Sequence, residues 1–123
     1  MPLAPIRKED APNKELEEAW EYYRTPRCQY PTAPGFATAR SLTQIITYDA
    51  YNMAEVFLTQ PLQIVAGSVA GSKWTSDDLY KRAASTNKKF HVVEGSNHMQ
   101  LYDVPMYVDE AVSVLAPFFK ANL

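Results

Sequence analysis

One cysteine and two histidines are all that this 123-residue sequence offers of the side chains that most often ligate metals or form cross-links. Cys28 alone cannot close an internal disulfide, and with only His91 and His98 beside it no metal-ligand cluster arises at a recognisable spacing. The expectation is a reduced thiol, no metal and no cofactor. A basic excess is missing too: 12 Lys and Arg against 14 Asp and Glu give a formal net charge of -2. That provides no field for a phosphate backbone or an anionic lipid surface, so neither nucleic acid nor membrane is expected as a partner. No apolar window approaches the roughly 18 residues a membrane span needs. The opening stretch from Met1 to Asp10 contains no apolar core of a secretory leader. These absences set the expectation of a soluble, cytoplasmic protein.

What is present is enough for one core: 46% of the residues are hydrophobic, 12% aromatic and 21% charged. A proline-punctuated, charged lead-in over residues 1–12 gives way at Asn13, a helix N-cap residue type, to a helix over Lys14–Arg24. Leu16, Ala19, Trp20 and Tyr23 form its apolar stripe, while Glu15, Glu17, Glu18 and Glu21 read as its solvated face. Residues 25–37 carry three prolines and a glycine and read as a lid or binding loop. Two short helices follow, Ser41–Tyr48 and Tyr51–Leu58, the second with Met53, Val56 and Phe57 as its apolar side. Residues 1–60 are thus a lead-in and helical cap or lid region.

From residue 61 the pattern changes. Pro61–Gly67 is an apolar run fenced by proline and glycine, the signature of a strand buried on both faces. Thr75 with Asp78 reads as a capping box opening a helix that runs to about Ala84, with Leu79, Tyr80 and Ala83 inward. Lys89–Glu94 is the second strand. Pro105 stops extended structure, and Tyr107–Lys120 is a last helix burying Val108, Val112, Leu115, Phe118 and Phe119, with Pro117 inside it. Strand, helix, strand and helix over 61–123 make an α/β unit of the βαβ type, with parallel strands. Two central-looking strands are too few for an ordinary α/β sheet. The sheet is expected to be completed by another chain, by a second copy, or by the rest of a longer protein.

Chemistry concentrates in Glu94-Gly95-Ser96-Asn97-His98, where a strand breaks at a glycine and delivers a histidine on the following loop. A histidine there can take or give a proton near neutral pH. His98 is the candidate general base. Tyr30, Tyr48 and Trp74 are candidate substrate-binding aromatics, while His91, at the start of the strand, reads as structural.

From about Glu18 to Leu123 the chain resembles the C-terminal portion of an α/β-hydrolase of the dienelactone-hydrolase-like branch, which includes bacterial esterase-like proteins and fungal polyketide thiohydrolases and transferases. The resemblance is carried by Tyr22-Tyr23-Arg24-Thr25-Pro26-Arg27, Tyr48-Asp49-Ala50, Gln60-Pro61-Leu62, Val65-Ala66-Gly67-Ser68, Gly71-Ser72, Ser76-Asp77-Asp78-Leu79, Gly95-Ser96-Asn97-His98 and Leu101-Tyr102-Asp103. It implies a partial α/β-hydrolase fold, His98 as the family's catalytic histidine with Asp77 the nearest candidate for its acid, and a small acyl or polyketide-like substrate hydrolysed or transferred from an ester or thioester. The family's serine sits in a G-x-S-x-G elbow, which this sequence lacks. Ala66-Gly67-Ser68-Val69-Ala70 imitates the spacing, but in the family that stretch follows the penultimate strand. The nucleophile is therefore expected from outside these residues. The alternative is a truncated, non-catalytic hydrolase-like protein that binds a small molecule or assembles with itself.

Overall fold

The computed structural model describes residues 2–33 and 35–123. The chain forms two compact units, Met1–Ala50 and Tyr51–Leu123. The second unit therefore includes residues 51–60 as well as the βαβ-plus-helix stretch.

In the first unit the helix expected over Lys14–Arg24 is α1, and the Asn13 side chain accepts from the Leu16 amide at 2.9 Å as an N-cap does. Ala19 alone on it is buried; Tyr23 stays 46% exposed. The acidic face is less solvated than its pattern implies. Glu17 pairs with Lys8 at 3.1 Å and Glu18 with Arg27 at 2.5 Å, so the lead-in and the following loop fold back onto it. The lead-in carries a short 3₁₀ turn at Lys8–Asp10, and Trp20 Nε1 donates to the Ile6 carbonyl at 3.1 Å. Helix α2, Ala39–Thr47, starts two residues before the expected Ser41 because Thr38 caps it, accepting from the Ser41 amide. Ile45 and Ile46 on it are 61% and 82% exposed.

Near the start of the second unit, Met53 in the left-handed region (φ 64°) turns the chain into α3, Ala54–Phe57. The side expected to be buried is the open one: Met53, Val56 and Phe57 are exposed, and Ala54 packs inward instead. Strand β1, Leu62–Gly67, pairs in parallel with β2, Lys88–Val93, in the register Leu62↔Lys88 to Gly67↔Val93. Helix α4, Lys73–Arg82, connects them, and the Tyr80 ring meets Phe90 of β2 at 5.9 Å. The βαβ unit is as the periodicity implies, but the capping box is not. The helix opens before Thr75, whose hydroxyl donates to the Ser72 carbonyl at 2.8 Å, while Asp78 faces Arg82 one turn on at 3.4 Å.

Beyond β2 lies a helical turn that the sequence reading passes over, α5, Gln100–Asp103. The last helix, α6, runs Pro105–Asn122. Pro105 starts it rather than ending something, because the first helical position needs no amide donor. The helix continues through Pro117. None of its residues is buried, and Val112 and Phe119, expected inside, are 52% and 50% exposed. The strands likewise fall short of burial on both faces. Ile64, Ala66, Gly67 and Val93 are buried, yet Lys89 is exposed and the others are half-covered. A sheet of two strands leaves both its edges open, and α4 and α6 are too little to close it over.

Candidate functional site

Both parallel strands end at the same edge of the unit, and the loops leaving them are bonded together there. The Ser68 amide donates to the Val93 carbonyl at 2.9 Å, and the Val69 amide donates to the Ser96 carbonyl at 3.1 Å. At Gly67 this approach leaves no room for a side chain: a Cβ would stand 2.1 Å from the Ser96 oxygen and 2.7 Å from its carbonyl carbon. Gly95 turns the second loop with φ of 73°, and its amide donates to Ser68 Oγ at 2.8 Å. Ser68 Oγ in turn donates to Glu94 Oε1 at 3.1 Å. Ser96 is fully buried. Asn97 and Gln100 then satisfy each other: the Asn97 amide donates to Gln100 Oε1 and the Gln100 amide to Asn97 Oδ1, both at 3.0 Å. That reciprocal pair is the logic of a capping box, and it fixes the two residues between them.

One of those two is His98. Its ring is half-buried, with Nδ1 3.1 Å from Ser72 Oγ and Nε2 2.5 Å from Tyr102 Oη. Tyr102 lies one turn after His98, so the helical turn of α5 brings the rings edge to face, 5.2 Å apart and at 84°. Ser72 comes from the other loop, as the residue before α4. The three side chains line a cleft of about 330 Å³ together with Gly67, Ala70, Lys73 and Leu101.

The remaining sequence candidates lie elsewhere. Asp77 is held by Lys73, whose ammonium meets its two oxygens at 2.9 and 3.0 Å, and Ser72 rather than a carboxylate stands at Nδ1 of His98. Trp74 sits in the first turn of α4 and is 69% exposed. Tyr48 follows α2 and is 75% exposed. Tyr30 lines a separate concavity of about 440 Å³ within the first unit, beside Leu3, Tyr23, Arg24 and Cys28. His91 ties β2 to α6 through Glu110, whose Oε1 lies 2.8 Å from Nε2. Among the described residues no three His, Cys, Asp or Glu side chains converge to hold a metal ion.

Ser72 and Tyr102 are the site residues the sequence reading missed. A signal for Tyr102 existed in its spacing of four from His98, had the turn between them been read as helical. Ser72 had no such signal, because its contact spans 26 residues and depends on the closure of the two loops.

Fold and cleft together define a small mixed α/β protein with a histidine loop beyond the carboxyl ends of parallel strands. No family model matches the chain. It is 72% identical over 123 residues to the uncharacterized protein YcjY of Escherichia coli, a match covering 100% of this chain and 40% of that protein. It is also 28% identical over 91 residues to the uncharacterized protein PA2218 of Pseudomonas aeruginosa, covering 72% of this chain and 24% of that one. The chain thus spans less than half the length of these relatives. Among the described residues no helix is long and apolar enough to cross a membrane.

Proposed function

We propose that these residues form the C-terminal part of an α/β-hydrolase-type acyl-transfer protein, with His98 as its general base and the serine nucleophile supplied by residues outside them. The observation that carries the reading is the position of His98, at the carboxyl end of parallel β1 and β2 and facing a cleft next to two hydroxyls. Ligands of open α/β sheets bind at that end. The substrate is an ester or thioester of a small acyl or polyketide-like group, hydrolysed or transferred in the cytoplasm. The two open strand edges, the exposed Val112 and Phe119 of α6, and relatives more than twice as long support a sheet completed by further strands of a longer protein or by a second copy.

The test is p-nitrophenyl ester hydrolysis by the chain alone and after complementation with the part of the Escherichia coli relative outside the match, each with and without His98→Ala. Turnover is expected only on complementation, and His98→Ala should lower it by about 10²–10⁴-fold, the usual worth of a positioned base. Turnover indifferent to His98→Ala, or none with the complement, would overturn the role of His98. A monomeric, well-ordered chain by mass in solution would sink sheet completion.

A further inference from the structure

Ser72 and Tyr102 approach His98 from opposite sides, and the chemistry of the two hydroxyls differs. A phenol is the more acidic donor, with an ordinary pKa of about 10, well below that of an aliphatic hydroxyl. A neutral imidazole has one N–H and one lone pair, and the hydrogen bond made at one nitrogen decides which nitrogen carries the proton. With Tyr102 Oη 2.5 Å from Nε2 and Ser72 Oγ 3.1 Å from Nδ1, the shorter contact belongs to the stronger donor. The phenol therefore donates its hydrogen bond to Nε2 and keeps its proton, and the single ring N–H sits on Nδ1, where it donates to Ser72 Oγ.

Ser72 is placed for this and not for the helix it precedes. It occupies the N-cap position of α4, yet its side chain makes no cap bond. Its carbonyl instead accepts from the Thr75 amide at 3.0 Å and from Thr75 Oγ1 at 2.8 Å, which fixes the backbone while the hydroxyl reaches across to the histidine loop. An N-cap serine that forgoes the cap leaves a first-turn amide without its usual side-chain acceptor. The contact to His98 is the use to which that hydroxyl is put.

From this geometry we infer that Ser72 and Tyr102 are positioning residues that hold His98 as the Nδ1–H tautomer, with Nε2 as the hydrogen-bond acceptor facing the cleft. The hydroxyl of Ser72 does the orienting that a carboxylate does in a Ser-His-Asp triad, without a charge to stabilise an imidazolium. Tyr102 covers the basic nitrogen, so a substrate hydroxyl or nucleophile must displace the phenol to reach it. The inference deepens the reading of the same cleft, but its readout is a ring tautomer rather than turnover, so the two can fail separately.

The experiment is a long-range proton–nitrogen correlation spectrum of the whole chain labelled with ¹⁵N-histidine, recorded well above the histidine titration range, with His91→Asn to assign His98. The expected wild-type pattern is a protonated, pyrrole-like Nδ1 and a pyridine-like Nε2. Tyr102→Phe should move the tautomer ratio toward Nε2–H by about fivefold or more, the equivalent of one hydrogen bond's net worth. Ser72→Ala should move it the same way, and Ser72→Thr, which keeps the hydroxyl, should restore it. A wild-type ring in the Nε2–H form overturns the inference before any variant is made. So does a ratio unmoved in folded Tyr102→Phe and Ser72→Ala proteins.

Discussion

Replacing Gly67 by alanine tests whether the histidine loop is seated on β1 as described. The new Cβ would meet the Ser96 oxygen at 2.1 Å and the Ser96 carbonyl carbon at 2.7 Å, and both atoms are backbone. No rotamer change relieves the clash, so the loop must retreat by at least about 1.3 Å to reach an ordinary contact. That movement stretches the Val69-to-Ser96 hydrogen bond from 3.1 Å beyond useful length, a loss of about 1 kcal/mol. Overpacking costs a further 1–3 kcal/mol or so, and the stiffer unfolded chain returns about 0.4–1 kcal/mol. The net is about 1–3.6 kcal/mol. At about 4–8 °C per kcal/mol for a domain of this size, the melting temperature should fall by roughly 4–29 °C. Circular dichroism melts read it, and the His98 resonances should shift in the folded variant because Ser72 and His98 come from the two loops being pushed apart. Gly95→Ala is the control. Its Cβ would meet nothing nearer than Tyr107 Oη at 3.6 Å, so only the left-handed backbone (φ 73°) is strained, worth roughly 1 kcal/mol. If Gly67→Ala melts within about 2 °C of wild type, or is milder than Gly95→Ala, the close seating of the loop is refuted.

Three further outcomes are open to measurement. Ser85 is 3% exposed and its hydroxyl has no hydrogen-bond partner among the described residues, so Ser85→Ala should leave the melting temperature unchanged or raise it by several degrees; a drop would show that the hydroxyl is satisfied in solution. Asn97→Ala removes the acceptor for the Gln100 amide and should cost about 0.5–2 kcal/mol in denaturant melts. Gln100→Ala should cost a similar amount, and the double variant should lose less than the sum because the two bonds are one device. In the lead-in, the hydrogen bond from Arg7 holds the Asp10 carboxyl below its ordinary value of 3.8. A lowered folded pKa contributes stability above the unfolded value that is lost as the pH falls through the folded one. A carboxyl titration by NMR should therefore place Asp10 below 3.8 and return it toward 3.8 in Arg7→Ala; no change in that variant would refute the pairing.

The α/β character of the second unit was legible because β1 and the second half of β2 are rich in apolar residues and the two strands are bounded by proline, glycine and turn residues. Asn13 announced α1 for an equally local reason: its cap bond lies within one turn. Local patterns misled where two readings shared one signal. Thr75 and Asp78 have the spacing of a capping box, yet the spacing also suits two residues inside a helix, and only the chain's exit from β1 decides that α4 begins at Lys73. Pro105 can end one element or open another, and the turn at α5 makes it the latter. The apolar faces of α3 and α6 are regular in sequence but exposed in the fold, because periodicity tells which face is apolar and not what covers it. The candidate site divides the same way: His98 followed from its place after a strand, whereas Ser72 is brought to it by tertiary closure alone.

The bonds that tie the loop of residues 94–99 to the end of β1 also determine how the cleft can move. Surface loops ordinarily open by themselves, many times for each unfolding of the domain that carries them. Here the Val69 amide is spent on the Ser96 carbonyl, the Ser68 amide on Val93, and Ser96 itself is sealed from solvent. Freeing the histidine therefore means parting the two strand ends, so the amide of Val69 should exchange with solvent on the timescale of global opening, alongside those of the paired strands. Any substitution that weakens the pairing of β1 and β2 would be felt at His98 as a change in how often its ring is correctly set.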